Sequence, residues 1–480
     1  MQQHHTSFSE CVYPCVCEIL SGAGYFHDLS EYSCQCIKKN SVYSREWDFE
    51  YRGYFRHECE GIHIGGSILQ MALDRADLPQ NEKEKIFQLI GQLDDVDIEN
   101  SLSRLSISIN GQKLGYVDLT PFQQVCDAFL KPPHWMRPPT YYITCAKPYI
   151  PETTLRYNKG ETDEINCVPY IKVNPTIGVC AQYAMRMALV IMSPKAPTVP
   201  ELISEAMNTA LSGGVERESS IGWHPDEIHH FFEISGYGVF RYSRSQLRCD
   251  NCGHLVSDIR VVPSVENIYA YVESGLPVII GVKNTKYLPW WGDGDEAHAL
   301  VAVGHTLDSN GRVDGIIVHD ESMYPYQVLK EPLMNGKALE EVIFEAIAPV
   351  PREVTVEYQV ARSLATQFFD LDEDDVIRPI LTDSNQIKKW LGEGIRRHHL
   401  ERYDLPSHVK EDFLSAYMDR YVRLFEIGKE NGADKREYIG DVIVGAINPT
   451  ILGFVKQKQG IYGFRDEARQ PQAKYFDSAE

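Results

Sequence analysis

Three residue types, met in order along the chain, can make a nucleophile with its base. Cys180 opens the stretch CAQYAMRMALVIM, whose later residues are mostly helix formers, and Pro175 and Gly178 precede it. A cysteine at a helix N-terminus meets the positive end of the helix dipole, which favours thiolate chemistry. Taken alone, such a cysteine reads as a buried thiol that begins a core helix. A thiolate nucleophile needs a base, and the base needs an orienting group. His298 begins the apolar strand HALVAVG just after the Gly/Asp-rich GDGDEA, an edge position suited to facing a cleft. Asp320 ends a second apolar run, GIIVHD. An acid at the mouth of a buried strand is costly without a partner, and a histidine on a neighbouring strand supplies one. The intervening TLDSNGRVDG has hairpin character, so the two strands are expected to pair.

Other residues were weighed beside these. Trp290 and Trp291, just upstream of His298, fit the wall of a substrate cleft as well as they fit plain core. The segment CDNCGHL offers Cys249, Cys252 and His254. A structural zinc needs a fourth ligand and often a second such knuckle, and no second CxxC is present. These three are weak metal candidates; the segment reads as a turn with free thiols, and no metal or cofactor is expected. The dense cysteines near the N-terminus (Cys11, Cys15, Cys17, Cys34, Cys36) are irregularly spaced and read as a thiol-rich hairpin. His229 and His230 stand beside Phe231 and Phe232 in a helical stretch, where packing accounts for them.

The elements that must position Cys180, His298 and Asp320 follow from periodicity. Residues 1–140 read as an α+β domain. Alternating runs at 43–63 and 105–119 predict strands, Asn110-Gly111 predicts a tight hairpin, and NEKEKIFQLIGQL has helical spacing. Residues 141–350 place helices first (180–192, 199–211 and 225–235, with Gly236 at the C-terminal cap) and strands later (276–282, 298–304, 315–319). Two facing sublayers are expected, one helical and one a sheet. APVPREV reads as a linker, and residues 351–480 as a largely helical domain with amphipathic stretches near Ser363, Ile387 and Glu411. The acidic DLDEDD reads as a solvated face.

Bulk composition narrows the function. The chain has 480 residues, enough for two or three domains, with 43% hydrophobic and 24% charged residues, as in soluble globular proteins. Its 68 acidic against 47 basic residues leave a net charge of −21. That argues against a nucleic-acid partner and against anionic membrane surfaces, since both need a basic face. The first residues lack a basic segment followed by a long apolar core, and no stretch approaches the ~20 apolar residues of a spanning helix. A cytoplasmic protein with its twelve cysteines mostly reduced is the expectation. Nothing in the sequence specifies an oligomeric state.

Five ordered segments carry a resemblance. GVCAQYAMRMAL, WHPDEIHHFFEISGYGV, YVESGLPVIIGV, HALVAVGH and IIVHDE together resemble the papain-like cysteine peptidases, most closely their C39-like branch, over residues 166–322. The resemblance implies an α+β papain-like core, with a nucleophile helix packed on an antiparallel sheet. It implies Cys180 as nucleophile, His298 as general base and later acid, and Asp320 as the orienting group. The thiolate would attack a carbonyl, form an acyl-enzyme thioester and yield it to water, so a protein or peptide substrate is expected. Family members place a glutamine six residues before the cysteine to stabilise the oxyanion; here that position is Asn174, which offers the same donor on a shorter arm. Gln182 is an alternative donor. Two departures leave the substrate class open: Val179 and Ala181 flank the cysteine where Asp and Gly are common, and Glu321 follows the acid where proline is usual. The same triad serves transglutaminases, deamidases and acyltransferases, although the interval from Cys180 to His298 is long for a transglutaminase core. A catalytically quiet binding protein on this fold is the reading from another class, supported by Asn174.

Overall fold

The computed structural model describes residues 3–6, 19–20, 22–23, 32–38, 103–109, 112–119, 125–133, 141–143, 168–172, 180–192, 223–244, 262–290, 296–308, 312–330, 333, 337–371, 376–387, 406–430, 436–456, 459–465 and 471–475. They form a mixed α+β structure of three antiparallel sheets with few helices. The first sheet comprises β1 (Gln3–Thr6), β2 (Tyr32–Lys38), β3 (Ser103–Ile109), β4 (Gln112–Leu119), β5 (Val125–Leu130) and β7 (Val168–Ile171), while the short β6 (Tyr141–Ile143) joins the second. β3 and β4 pair from Ile109↔Gln112 outward, as a two-residue Asn-Gly connection requires.

The central sheet carries the site. Its elements follow α1 (Cys180–Met192) and α2 (Pro225–Ile234): β8 (Tyr237–Ser243), α3 (Val265–Val272), β9 (Val278–Val282), β10 (His298–Leu307), β11 (Val313–His319), β12 (Gln327–Lys330), α4 (Leu339–Val342) and β13 (Ile343–Pro351). The strand order is β12-β11-β10-β9-β13-β8, with β6 against β10. Every residue of β10 is buried, which is why it reads as a continuous apolar run. Ala299, Val301 and Val303 face the cluster that holds α1, and Leu300 and Ala302 face the one that holds α3. α1 is itself apolar around its circumference, with ten buried residues, so it lies inside the protein. α2 begins with Pro225 at its first turn, and the Glu227 carboxylate accepts the His224 N–H at 2.6 Å. Gly236, at φ +89°, ends it in the left-handed conformation open to glycine.

Two expectations fail here. The APVPREV segment is no linker: Ala348 to Pro351 complete β13, with Ala348 and Val350 fully buried. β13 pairs with β9 only as far as Ile347 but with β8 through Pro351, so both prolines fall where one edge has no strand to serve. The C-terminal part is not largely helical either. Besides α5 (Tyr358–Phe369) and α6 (Ser407–Ser415), its described residues form a six-stranded sheet of β14 (Val376–Asp383), β15 (Tyr421–Glu430), β16 (Arg436–Gly445), β17 (Ile451–Lys456), β18 (Ile461–Phe464) and β19 (Lys474–Tyr475) in sequential order. Segments such as YVRLFEIGKE and ILGFVK are short runs rich in β-branched and aromatic residues, a strand signal that the helical stretches around Ser363 and Glu411 overshadowed. One apolar core runs without a break from α3, β9 and β13 into α5, β15 and β16.

The expected helices at NEKEKIFQLIGQL and 199–211, and the alternating run at 43–63, lie outside the described residues. Among the described residues no helix is long and apolar enough to cross a membrane.

Candidate active site

Cys180 is the first residue of α1 and carries a free, half-buried thiol. Burial of the helix behind it, on β10, β7 and β9, fixes where that thiol stands. His298 is the first residue of β10, opposite Val282 on β9, and is 7% exposed. β11 ends at His319, and the chain turns there: Asp320 N–H donates to Tyr324 O at 3.2 Å, and Met323 N–H to Asp320 O at 3.1 Å. Consecutive residues of a strand would point to opposite faces. Past the end of β11 that alternation lapses, and both acids reach the same imidazole.

Asp320 is wholly buried and fully engaged. His298 Nε2 lies 2.9 Å from its Oδ1, the Ser322 backbone N–H donates to Oδ1 at 3.0 Å, and the Trp290 indole N–H donates to Oδ2 at 2.7 Å. Two fixed donors make Asp320 an accepting carboxylate, so Nε2 carries a proton and Nδ1 is left for Cys180. The Cys180 Sγ stands within 4.8 Å of a nitrogen of this ring. Glu321, also fully buried, sets its Oε1 at 3.5 Å from Nε2 and accepts from Ser322 Oγ at 3.1 Å. Its Oε2 has no hydrogen-bond partner. Cys180 Sγ, a His298 ring nitrogen and a Glu321 carboxylate oxygen all lie within 4.8 Å of one another.

Burial alone would lower the basicity of His298, but the charge of Glu321, hydrogen bonding to Asp320 and Cys180 and the charge of Asp320 overcome it. The imidazole is held well above its ordinary value of 6.5. Burial pushes the Glu321 carboxyl up to about 8; His298 opposes this and Asp320 reinforces it.

A cleft of about 260 Å³ opens beside Cys180 and His298. Trp223, Ile228, Ile279, Phe344 and Ile347 make it apolar, and Glu345 is its one acidic wall. Glu345 is ion-paired with Arg241, which also holds Asp226 on α2. Gly281 on β9 borders the cleft. A Cβ there would stand 2.9 Å from the Phe344 ring, so a side chain would have to displace that wall.

The structure thus brings Cys180, His298 and Asp320 together. Trp290 joins them in an unforeseen role, holding Asp320 rather than lining the cleft. Gln182 is 1% exposed and is not on the cleft; two positions along a helix is about 200° of rotation away from Cys180. Asn174, Trp291, Cys249, Cys252 and His254 lie outside the described residues. Three contributions were missed by sequence reasoning. Glu321 was noted only for standing where proline is usual, although two acids in a row after an apolar strand were a signal. Glu345 showed itself only as a lone acid in the apolar IFEAIAPVP. Tyr170 on β7 braces the acid-bearing turn, donating to Met323 O at 3.1 Å and Glu321 O at 3.3 Å, and no local signal announced it.

A scan against known protein families finds no match, and no curated protein is significantly similar to the chain.

Proposed function

We propose that the protein is a cysteine-dependent hydrolase with a papain-like core of the C39-like kind, and that it cleaves a peptide or isopeptide bond. The single observation that carries this reading is the chain of contacts Cys180–His298–Asp320, with the thiol at a helix start and the acid locked by Trp290 and Ser322. In this reading the Cys180 thiolate attacks a carbonyl carbon presented from the cleft, and the oxygen takes the charge. The Cys180 backbone N–H, free of an intrahelical partner at the helix start, is available to that oxygen. The His298 imidazolium then passes its proton to the departing amine, leaving a thioester. His298, now neutral, takes a proton from water as it attacks; the acid leaves and the thiol is restored. Asp320 holds the ring in the tautomer and orientation that both steps need. A free thiol at the centre suits the reducing cytoplasm.

Iodoacetamide tests the assembled triad. Cys180 should be alkylated far faster than the other cysteines, and His298→Ala should remove the difference. Uniform slow labelling that His298→Ala leaves unchanged would sink the enzyme reading and favour a binding protein. New N-termini in a treated proteome would then identify a peptidase. A gain of about one dalton on glutamine, or amine incorporation, would instead assign deamidase or transglutaminase chemistry.

A further inference from the structure

We propose that Cys180, His298 and Glu321 together bind a Zn²⁺ ion, which silences the site by occupying its nucleophile and its base. The proposal goes beyond the hydrolase reading and shares only the residues with it. One thiolate sulfur, one imidazole nitrogen and one carboxylate oxygen form a donor set that suits Zn²⁺ and not Mg²⁺ or Ca²⁺, which require shells of oxygen. In a tetrahedral site with bonds of about 2.0–2.3 Å, neighbouring donor atoms stand roughly 3.5 Å apart. His298 Nε2 and Glu321 Oε1 are at 3.5 Å, and all three donors fall within 4.8 Å, so small side-chain rotations close the set once the metal displaces the Nε2 proton that is otherwise shared with Asp320. Their backbones are rigid: α1 is packed on all sides, and β10 is paired on both edges.

The independent sign of a ligand is Glu321 itself. It is 0% exposed and, among the described residues, belongs to no ion pair but the 3.5 Å contact with His298 and leaves Oε2 without a partner. A carboxyl in that position is costly to bury, and an oxygen with nothing to accept from is a donor atom held ready for a cation. The triad does not need it, because Asp320 already orients the ring. The cleft supplies the way in and a water for the fourth position, since Cys180 and His298 both line it. Metal binding releases the protons it displaces from the thiol, the imidazole and the carboxyl, and the metal leaves when they return or a chelator removes it.

Co²⁺ is the probe, because a cobalt–thiolate bond gives a charge-transfer absorption in the near ultraviolet. Adding Co²⁺ to the full chain should produce such a band, and the spectrum of the Cys180→Ser chain subtracted from it should retain one equivalent, whatever the other cysteines bind. Glu321→Gln should weaken that component at least tenfold. In the unaltered protein, Zn²⁺ should slow iodoacetamide labelling of Cys180 by tenfold or more, and a chelator should restore it; this arm needs no variant to fold. A flat difference spectrum, full affinity in Glu321→Gln, or labelling indifferent to saturating Zn²⁺ would overturn the proposal. A chain that hydrolyses peptides yet lacks the Cys180-dependent band fails the metal inference alone, and a band without hydrolysis fails the hydrolase reading alone.

Discussion

Strand β10 carries two buried histidines, His298 and His305, and each bonds a buried carboxylate through Nε2, Asp320 at 2.9 Å and Glu273 at 2.6 Å. The pairs look alike, yet their surroundings give them different work. The pairing of β10 with β11 slips at Val303, one residue beyond Ala302, and the added residue reverses the alternation. His305 therefore faces α3, where its ring stands edge-on to Tyr269, 4.7 Å between centroids. There Glu273 also binds Arg378, which pairs in turn with Glu426 at 2.6 Å, so the network ties α3 to β14 and β15. Charge is closed on charge there. His298 has a carboxylate on one side and, on the other, a thiol, a second acid and open space. The same two kinds of side chain make a cross-brace beside an arginine and a candidate site beside a thiol and a cleft.

The comparison can be broken most sharply by exchanging the losses. His298→Ala should lower kcat/KM on a cleaved peptide by on the order of 10⁴-fold with little change in thermal stability. His305→Ala should keep the rate and cost about 1–3 kcal/mol of unfolding free energy in urea. If both variants lose rate alike, the distinction is wrong. Next in size, Arg378→Ala leaves Glu273 and Glu426 buried without their cation and should cost about 3–5 kcal/mol, read by chemical denaturation.

The acid limit of stability is a third measure. Burial would raise the Glu273 carboxyl, but Arg378 and His305 outweigh it and hold the group down at about 2, against 4.5 unfolded. A depressed carboxyl contributes stability above its unfolded value and loses it as pH falls through the folded one. About 3 kcal/mol should therefore vanish between pH 4.5 and about 2, and that step should be absent in Glu273→Gln. The smallest effect belongs to the catalytic pair. Trp290→Phe removes one hydrogen bond from Asp320 and should lower kcat/KM about tenfold, from a charge-assisted bond of ~1.5 kcal/mol. Proton delivery needs His298 charged, so the alkaline limb of kcat/KM should fall well above pH 6.5, and Asp320→Asn should move it down.

The residues that read most truly were those whose surroundings are local. The run CAQYAMRMALVIM became α1 with the same bounds, because a helix apolar all round has one stable use. β10 and β11 were legible as short apolar runs beside turn residues, and Cys180, His298 and Asp320 could be chosen because each sits at the end of such an element. The prolines of APVPREV misled, since a sequence does not say which edge of a strand lies unpaired. The C-terminal strands were hidden for a related reason: short apolar runs become a sheet only when they find one another.

What the sequence determined by itself, then, was the order of Cys180, His298 and Asp320 and the kind of element that begins or ends at each. Tertiary structure decided the rest. It turned His305 toward α3 by a single slipped residue in the pairing of β10 with β11, and set Cys180 beside the start of that strand at His298. It turned Glu321 inward beside Asp320, placed Trp290 and Tyr170 around the acid turn, and bound the C-terminal sheet to the core through Arg378. Those contacts join residues far apart in the chain, where spacing carries no signal and only packing brings the partners within bonding distance.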